Sequence, residues 1–346
     1  MLQPSLSQSH LPFQIHHYKP LFFVTHCRAK NTAMAHSVRI VVVGDVHDDW
    51  DTQQDAKALQ SLKPDLVLFT GDFGDENVEL VKDVSSLDLP KAVILGNHDC
   101  WNTGKFSSTG VDSVEAQLAC LGKEHVGYDR LDFPQLKLSV VGGRPFSCGG
   151  KKIFYESLIA KRYGVKNMNE SARKIYESSL RAPYGNSIIL LAHNGPTGLG
   201  SNMSDICGRD WVVKGGDHGD PDLAEAISFL KDNSQLKIPL VIFGHMHKRL
   251  AYSDDPRTML VTGDNGIFYL NGAIVPRVEH LTTETVDGNT SSSGKYPFSD
   301  RTSITTKRVF TVIELINGKP RKITESWVTV NEEVNKIEES ILFESL

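Results

Sequence analysis

Seven side chains of types that commonly bind metal ions follow short apolar runs at five places in the chain. Each run is rich in β-branched residues and ends within a few residues of an Asp, Asn or His. Carboxylate oxygens and imidazole nitrogens bind divalent metal ions, and amide oxygens can complete such a site. The seven candidate ligands are Asp45, His47, Asp72, Asn97, His193, His245 and His247.

The apolar runs predict the elements that would bring these ligands together. Runs such as those at residues 41–43, 67–69 and 188–191 are typical of buried β-strands. Open α/β sheets bind ligands in the crevice outside the carboxyl ends of their strands. Since all five runs carry a ligand just beyond that end, we expect one crevice that holds a dinuclear metal site.

The order of the blocks resembles the calcineurin-like metallophosphoesterase superfamily, and the resemblance extends over about residues 38–247. The blocks in this chain are Asp45-x-His47, Gly71-Asp72, Gly96-Asn97-His98-Asp99, His193 and Gly244-His245-x-His247. The resemblance implies an α/β fold, a four-layer α/β/β/α sandwich of two mixed sheets flanked by helices. It also implies that Asp72 bridges two divalent ions. The other ligands of one ion would be Asp45, His47 and His247, and those of the second Asn97, His193 and His245.

The expected cofactors are therefore two divalent ions, and the ligand types suit Mn²⁺, Fe or Zn²⁺ without choosing among them. Paired ions about 3.5–4 Å apart clamp the attacking and leaving oxygens of an in-line displacement and lower the pKa of a bridging water. The reaction that the resemblance implies is hydrolysis of a phosphate ester by a metal-bridging hydroxide. No protein nucleophile is needed.

His98 is the candidate catalytic residue outside the ligand set. By resemblance, it points at the substrate as a general acid or a transition-state stabiliser, and such a group contributes about 10²–10⁴-fold. Its orienting carboxylate is either Asp99 or Asp75, and the sequence leaves both open.

Phosphate needs cationic support in addition to the metals and the neighbouring Asn97 and His98. Arg144 is the first candidate, because it follows a predicted strand through Gly142-Gly143 and a strand end is well placed to reach the site. Arg209 and Lys214, in the loop after His193, are the alternatives.

Differences from known branches of the superfamily narrow the expected substrate. Phosphoprotein phosphatases carry a phosphate-binding Arg where this chain has Glu76, and purple acid phosphatases need a Tyr ligand where it has Phe73. The double-strand-break nucleases match the ligand set but gain no support from the acidic charge balance. Small enzymes acting on nucleotides or other organic phosphates remain. The blocks Gly44-Asp45-Val46-His47 and Gly71-Asp72-Phe73-Gly74 most resemble a plant and cyanobacterial branch.

A non-catalytic binding protein on the same scaffold is the alternative from a different functional class, since a retromer subunit of this fold has lost catalysis. Such loss usually appears as a substituted ligand or a missing acid, whereas every position is filled here. We therefore expect a metal-dependent phosphoric ester hydrolase whose partner is a small phosphorylated substrate.

The rest of the chain predicts one large domain with appendages. We expect a metallophosphoesterase domain over residues 38–330, with a helical insertion at about 150–183 and a mobile loop at about 282–303. Asn317-Gly318 between two apolar runs predicts a hairpin with a type I′ turn. Residues 331–346 carry apolar side chains at helical spacing and predict a C-terminal helical tail.

Composition sets limits on the partners of the protein. The 346 residues carry a formal net charge of −5, which argues against a protein that holds nucleic acid mainly by electrostatics. No apolar run approaches the length that crosses a bilayer. The five Cys residues show no spacing typical of a disulfide framework or a thiolate zinc site.

Residues 1–37 differ in kind from the rest. They contain no Asp or Glu, but they do contain Ser and the basic residues Lys19, Arg28 and Lys30. Leaders of this composition resemble organellar transit peptides. We expect a plastid transit peptide and hence a chloroplast location, with mitochondrial or cytoplasmic location as the alternatives.

Overall fold

The computed structural model describes residues 35–103, 112–264, 266–281, 305–330 and 336–345. The predicted transit peptide therefore lies outside the described residues except for its last three positions, and the predicted mobile loop at 282–303 lies wholly outside them. Among the described residues, no helix is long and apolar enough to span a bilayer.

Strands and helices alternate through most of the chain, as the apolar runs predict. The first elements are β1 (Ser37–Val43), α1 (Thr52–Leu62), β2 (Leu66–Phe69), α2 (Val78–Ser85), β3 (Lys91–Val93) and α3 (Ser113–Leu121). The next are β4 (Arg130–Phe133), β5 (Leu138–Gly142), α4 (Glu156–Tyr163), α5 (Met168–Leu180), β6 (Ser187–Leu191), α6 (Pro221–Asn233) and β7 (Lys237–Phe243). The chain continues with β8 (Leu260–Thr262), β9 (Phe268–Asn271), β10 (Val278–Leu281), β11 (Thr305–Ile316), β12 (Lys319–Val330) and β13 (Lys336–Glu344).

The strands form two mixed sheets. The first sheet has the order β13-β12-β11-β1-β2-β3, with β10 paired to β11, and its strands β1, β2 and β3 are parallel. The second sheet has the order β4-β5-β6-β7-β9-β8, and the four strands β5, β6, β7 and β9 are parallel. The carboxyl ends of the parallel strands are the ends that the seven candidate ligands follow.

Alternate residues of each central strand pack on opposite faces, as the period of two in a strand requires. On one face, Ile40 and Val42 of β1 join Ile189 and Leu191 of β6 in a core between the two sheets. The intervening residue Val41 joins the core that includes the helices. Because both faces are buried, the strands read as continuous apolar runs. The predicted fold, two mixed sheets flanked by helices, is confirmed.

The predicted hairpin is also confirmed. Strands β11 and β12 pair antiparallel from Thr306↔Val330 to Ile316↔Lys319. Asn317 and Gly318, which connect them, have φ values of 52° and 75°. Positive φ at both central residues is the requirement of a type I′ turn, which Asn-Gly satisfies at low cost.

The predicted C-terminal helix is wrong for the part of residues 331–346 that the structure describes. Lys336–Glu344 forms β13, which pairs antiparallel with β12 through pairs such as Thr329↔Lys336 and Ser326↔Glu339. The spacing of Ile337 and Ile341 suits a helix, but the exposed edge of β12 offers a full row of backbone partners. Tertiary pairing therefore overrides a short helical pattern.

A buried ion-pair network ties helix α1 to the first sheet and to the first ligand loop. The carboxylate of Asp55, which is 0% exposed, accepts hydrogen bonds from Arg308 and, at 2.7 Å, from Arg277. Arg277 also donates to the carbonyl of Asp49 at 2.7 Å, two residues beyond the candidate ligand His47. The network thus holds the loop after β1 in place.

Removing Asp55 should destabilise the fold strongly. Asp55→Ala leaves two buried guanidinium groups without their carboxylate, and breaking a buried pair in this way costs about 3–5 kcal/mol. Urea unfolding monitored by circular dichroism measures the loss. Glu79→Ala is the matched control, because its side chain is 82% exposed and should change the free energy of unfolding by less than about 0.5 kcal/mol. Equal effects of the two substitutions would contradict the account.

Candidate metal centre

The structure brings all seven candidate ligands to one edge of the two sheets. Each group of ligands follows the carboxyl end of a parallel strand, and five strands contribute. Asp45 and His47 follow β1, Asp72 follows β2, Asn97 follows β3, His193 follows β6, and His245 and His247 follow β7.

One group consists of Asp45, His47 and His247, whose ligand atoms all lie within 4.8 Å of one another. The Nε2 atoms of His47 and His247 are 3.0 Å apart, and Nε2 of His247 is 3.4 Å from the Asp45 carboxylate. Two ring nitrogens at this separation need a proton or a cation between them.

The second group consists of Asp72, His193 and His245, again within 4.8 Å. Nε2 of His193 lies 3.4 Å from the Asp72 carboxylate and 2.9 Å from the amide oxygen of Asn97. The other Asp72 oxygen is 3.9 Å from Nε2 of His47, in the first group. Asp72 therefore faces both groups, which is the position that a bridging carboxylate would need.

Unusual backbone conformations determine the directions of several candidate ligand side chains. His47, Asp72 and His245 have φ values of 46°, 53° and 66°, in the left-handed region that non-glycine residues seldom adopt. At His245 this turn separates the two neighbouring imidazoles, so that His245 joins one group and His247 the other. Such strain persists only where the surrounding structure over-determines it, and it clusters at functional sites.

The glycines that precede candidate ligands allow other ligand side chains to lie close to the backbone. A Cβ atom on Gly96 would lie 2.3 Å from the Asp72 carboxylate and 2.4 Å from the His193 ring. A Cβ atom on Gly244 would lie 2.2 Å from the carboxylate of Asp45. No larger residue fits at either position without displacing a candidate ligand.

Hydrogen bonds to the backbone fix the orientation of two candidate ligands. Nδ1 of His193 lies 2.7 Å from the carbonyl oxygen of Thr70, which can only accept, so Nδ1 carries the proton and Nε2 faces the cluster. The backbone N–H of His245 donates to both oxygens of Asp45, at 3.1 and 3.0 Å. Sequence reasoning missed Thr70, because a backbone carbonyl leaves no signal in residue types.

The two carboxylates that sequence reasoning left open for His98 have separate positions. Nδ1 of His98 is 2.6 Å from the Asp75 carboxylate. Asp99 is 0% exposed and instead accepts three backbone N–H bonds, from Asp72 and Phe73 at 2.9 Å and from Gly96 at 2.7 Å. The catalytic role predicted for Asp99 is therefore corrected: this carboxylate holds the ligand loops together, and Asp75 is the partner of His98.

The substrate-binding role predicted for Arg144 does not fit the structure. Arg144 is 1% exposed and lies in a buried ion pair, donating to Asp220 at 2.7 Å and to Asp222 at 2.9 Å. The two carboxylates are distant in sequence, so nothing local revealed them. Of the alternatives, Arg209 donates to the carbonyl of Gly215 at 3.2 Å, and Lys214 lines a separate hollow.

Burial and mutual charge set the proton distribution in the cluster. Burial alone would raise the pKa of Asp45, but its hydrogen bond with His247 and the charge of His193 lower it below the ordinary value. Burial would lower the pKa of His193, yet the Asp72 carboxylate raises it to about 10. Burial and the neighbouring His193 lower the pKa of His245 to about 3. Without a metal ion, a proton on His193 thus compensates part of the negative charge of Asp45 and Asp72.

The donor set fits divalent cations. Carboxylate oxygens, imidazole nitrogens and one amide oxygen converge, and Asp45, Asp72, Asn97 and His193 are each at most 3% exposed. Buried carboxylates need a compensating charge, which a proton or a metal ion supplies. Asp72 faces both groups of candidate ligands.

The ligands open onto a cavity of about 410 Å³ whose lining includes residues that sequence reasoning missed. Trp101 stacks on the His98 ring with centroids 4.8 Å apart and an interplanar angle of 7°. Trp211, His218 and Arg249 line the same cavity. The sequence contains a weak indication of Trp101, because it lies three residues beyond His98. The other three residues lie in irregular loops, where no sequence pattern points to the cavity.

Metal binding should release protons. The proton on His193 must leave before Nε2 can bind an ion, and its pKa of about 10 means that it is held throughout the neutral range. Raising the pH weakens this competition, so the apparent affinity for Mn²⁺ should rise between about pH 6 and pH 9. Calorimetric titration in two buffers of different ionisation enthalpy measures the released protons. Heats that match in both buffers, together with a pH-independent affinity, would contradict the assignment; the surface variant His280→Ala should behave as wild type.

The solved structures to which this chain is similar have low sequence identity with it. A dimetal phosphatase from Danio rerio is 11% identical, with 82% of this chain and 97% of that chain covered and a TM-score of 0.40. Vacuolar Protein Sorting 29 from Cryptosporidium parvum is 12% identical, with coverage of 90% and 100% and a TM-score of 0.32. PhoD is 12% identical, with coverage of 90% and 72% and a TM-score of 0.42. These TM-scores are too low to carry an argument about function.

Comparison with curated proteins found no match. A family model gives a clear result: the model described as calcineurin-like phosphoesterase matches residues 38–249. This range covers more than half of the chain and includes all seven candidate ligands as well as His98. The chain belongs to the calcineurin-like phosphoesterase family.

Proposed function

We propose that the protein is a dinuclear metal-dependent phosphoesterase that hydrolyses a small organic phosphate or a nucleotide. One observation carries the proposal: seven ligand side chains from five strand ends converge beside a cavity that His98 lines. Asp45, His47 and His247 would hold one ion, Asn97, His193 and His245 the other, and Asp72 both. When bound, such ions polarise a phosphoryl group and activate water for attack on phosphorus.

His98 supplies the proton for the departing group. Because its Nδ1 atom is held by the Asp75 carboxylate at 2.6 Å, Nε2 is the ring atom that is left to donate. Stacking on Trp101 fixes the plane of the ring. His98 would give the Nε2 proton to the leaving oxygen of the ester, and the Asp75 carboxylate would hold the ring in the orientation for this transfer.

Hydrolysis of p-nitrophenyl phosphate and bis-p-nitrophenyl phosphate by the full chain with Mn²⁺ tests the proposal. Asp72→Asn should abolish turnover, because it removes the charge shared by both ligand groups. His98→Ala should retain bound metal but lower kcat by about 10²–10⁴-fold, with His280→Ala as the matched control on the surface. If wild-type protein neither binds metal nor turns over either ester, the alternative of a non-catalytic binding protein is favoured.

Asp75 and Asp99 should behave differently on substitution. Asp75→Asn should lower kcat and leave the free energy of unfolding nearly unchanged, since Asp75 is exposed. Asp99→Ala should destabilise the fold by about 3 kcal/mol or more, because three buried N–H groups lose their acceptor. Turnover and urea unfolding on the same samples separate the two roles. A stable, inactive Asp99→Ala protein would reverse the assignment.

We also propose that the protein is imported into chloroplasts and belongs to a plant and cyanobacterial branch of the family. The acid-free leader supports a plastid transit peptide over residues 1–37, and the Gly-Asp-Phe-Gly block supports the plant and cyanobacterial branch. A fluorescent protein fused behind residues 1–37 tests the leader in plant cells. Import into chloroplasts is the expected result, and mitochondrial or cytoplasmic fluorescence would overturn it.

A further inference from the structure

Trp211 is a large aromatic side chain that is about half exposed to solvent beside the candidate metal ligands. It is 47% exposed and lines the cavity that also contains Asp72, His98 and His247. Exposing an indole at the wall of a cavity forgoes the burial that normally favours this residue. The other cavity tryptophan, Trp101, already has its ring stacked on His98. Trp211 has no such partner in the proposed reaction.

Trp211 is held in a defined place relative to the metal ligands. The edge-on ring of His218 lies 4.9 Å from Trp211, and His218 in turn lies 6.4 Å from His245 with an interplanar angle of 23°. His218 is fixed by the carbonyl of Cys148, 2.9 Å from its Nε2 atom. A row of three rings thus leads from the metal ligand His245 outward along the cavity.

Arg249 supplies positive charge in the same cavity. It is the only Lys or Arg among the described residues of the cavity lining, it is exposed, and it forms no ion pair within the described part of the chain. The loops that carry the two residues are tied together: the backbone N–H of Ala251 donates to the Asp210 carboxylate at 2.7 Å. Asp210 is further engaged by Arg257 at 3.5 Å. The hydrogen bond therefore fixes the loop that carries Trp211 against the loop that carries Arg249.

We propose that Trp211 and Arg249 select the substrate of this site: a phosphate ester whose organic group carries a planar aromatic ring, as in a nucleotide. The ring stacks on Trp211, and Arg249 contacts the phosphate or its neighbouring oxygens. This inference rests on the proposed phosphoesterase function. Aromatic stacking is tolerant of ring identity, since every base has a π face. The site thus defines a class of ester and does not choose one base.

Binding of two matched phosphate ligands to the Mn²⁺-loaded full chain tests the inference. AMP and ribose 5-phosphate share a sugar phosphate and differ in the aromatic base. Calorimetry should find AMP bound about tenfold or more tighter, the effect of one stacked base. Trp211→Ala should remove this advantage, Trp211→Phe should keep part of it, and Arg249→Ala should weaken both ligands alike. Tyr184→Ala, which removes an exposed ring outside the cavity lining, should change neither.

Inorganic phosphate as a third ligand separates the two levels of the proposal. If phosphate and ribose 5-phosphate bind but AMP gains nothing, or if Trp211→Ala weakens AMP and ribose 5-phosphate equally, the selection of an aromatic group is overturned and the phosphoesterase proposal stands. If none of the three ligands binds the metal-loaded protein, both proposals are overturned.

Discussion

Two buried carboxylates set the constraint on which the rest of this structure depends. Asp45 and Asp72 are each 1% exposed, and each lies within 3.4 Å of an imidazole nitrogen. Charges of this kind are costly in a protein interior unless a cation compensates them. The surrounding loops hold the two carboxylates in place despite the repulsion between their charges. The features that do so are the left-handed backbone at His47, Asp72 and His245, the glycines before the ligands and the three N–H bonds to Asp99.

The surroundings of the cluster divide into a buried, rigid part and an open part. Asp72, Asn97 and His193 are each at most 3% exposed. His98, Trp101, Trp211 and Arg249 instead face a cavity that opens to solvent. A buried set of candidate ligands that borders an open, aromatic and partly cationic cavity agrees with the proposed hydrolysis of a phosphate ester.

The parts predicted from sequence are those that local patterns determine. Buried parallel strands give continuous apolar runs, so the strands and the candidate ligands beyond their ends could be located from the sequence. The role of Arg144 could not, because its partners Asp220 and Asp222 are distant in sequence and a strand-end Arg looks the same whether it faces substrate or core. The choice between Asp75 and Asp99 depended on the directions of side chains in two separate loops, which residue types do not reveal. Trp211 and Arg249 lie in loops, whose course is set by long-range contacts such as that of Ala251 with Asp210.

Anomalous diffraction from crystals grown with Mn²⁺ tests the central claim most directly. We expect two ions in contact with Asp72, one also bound by Asp45, His47 and His247, and the other by Asn97, His193 and His245. A single ion, no ion, or ions bound outside these seven side chains would contradict it.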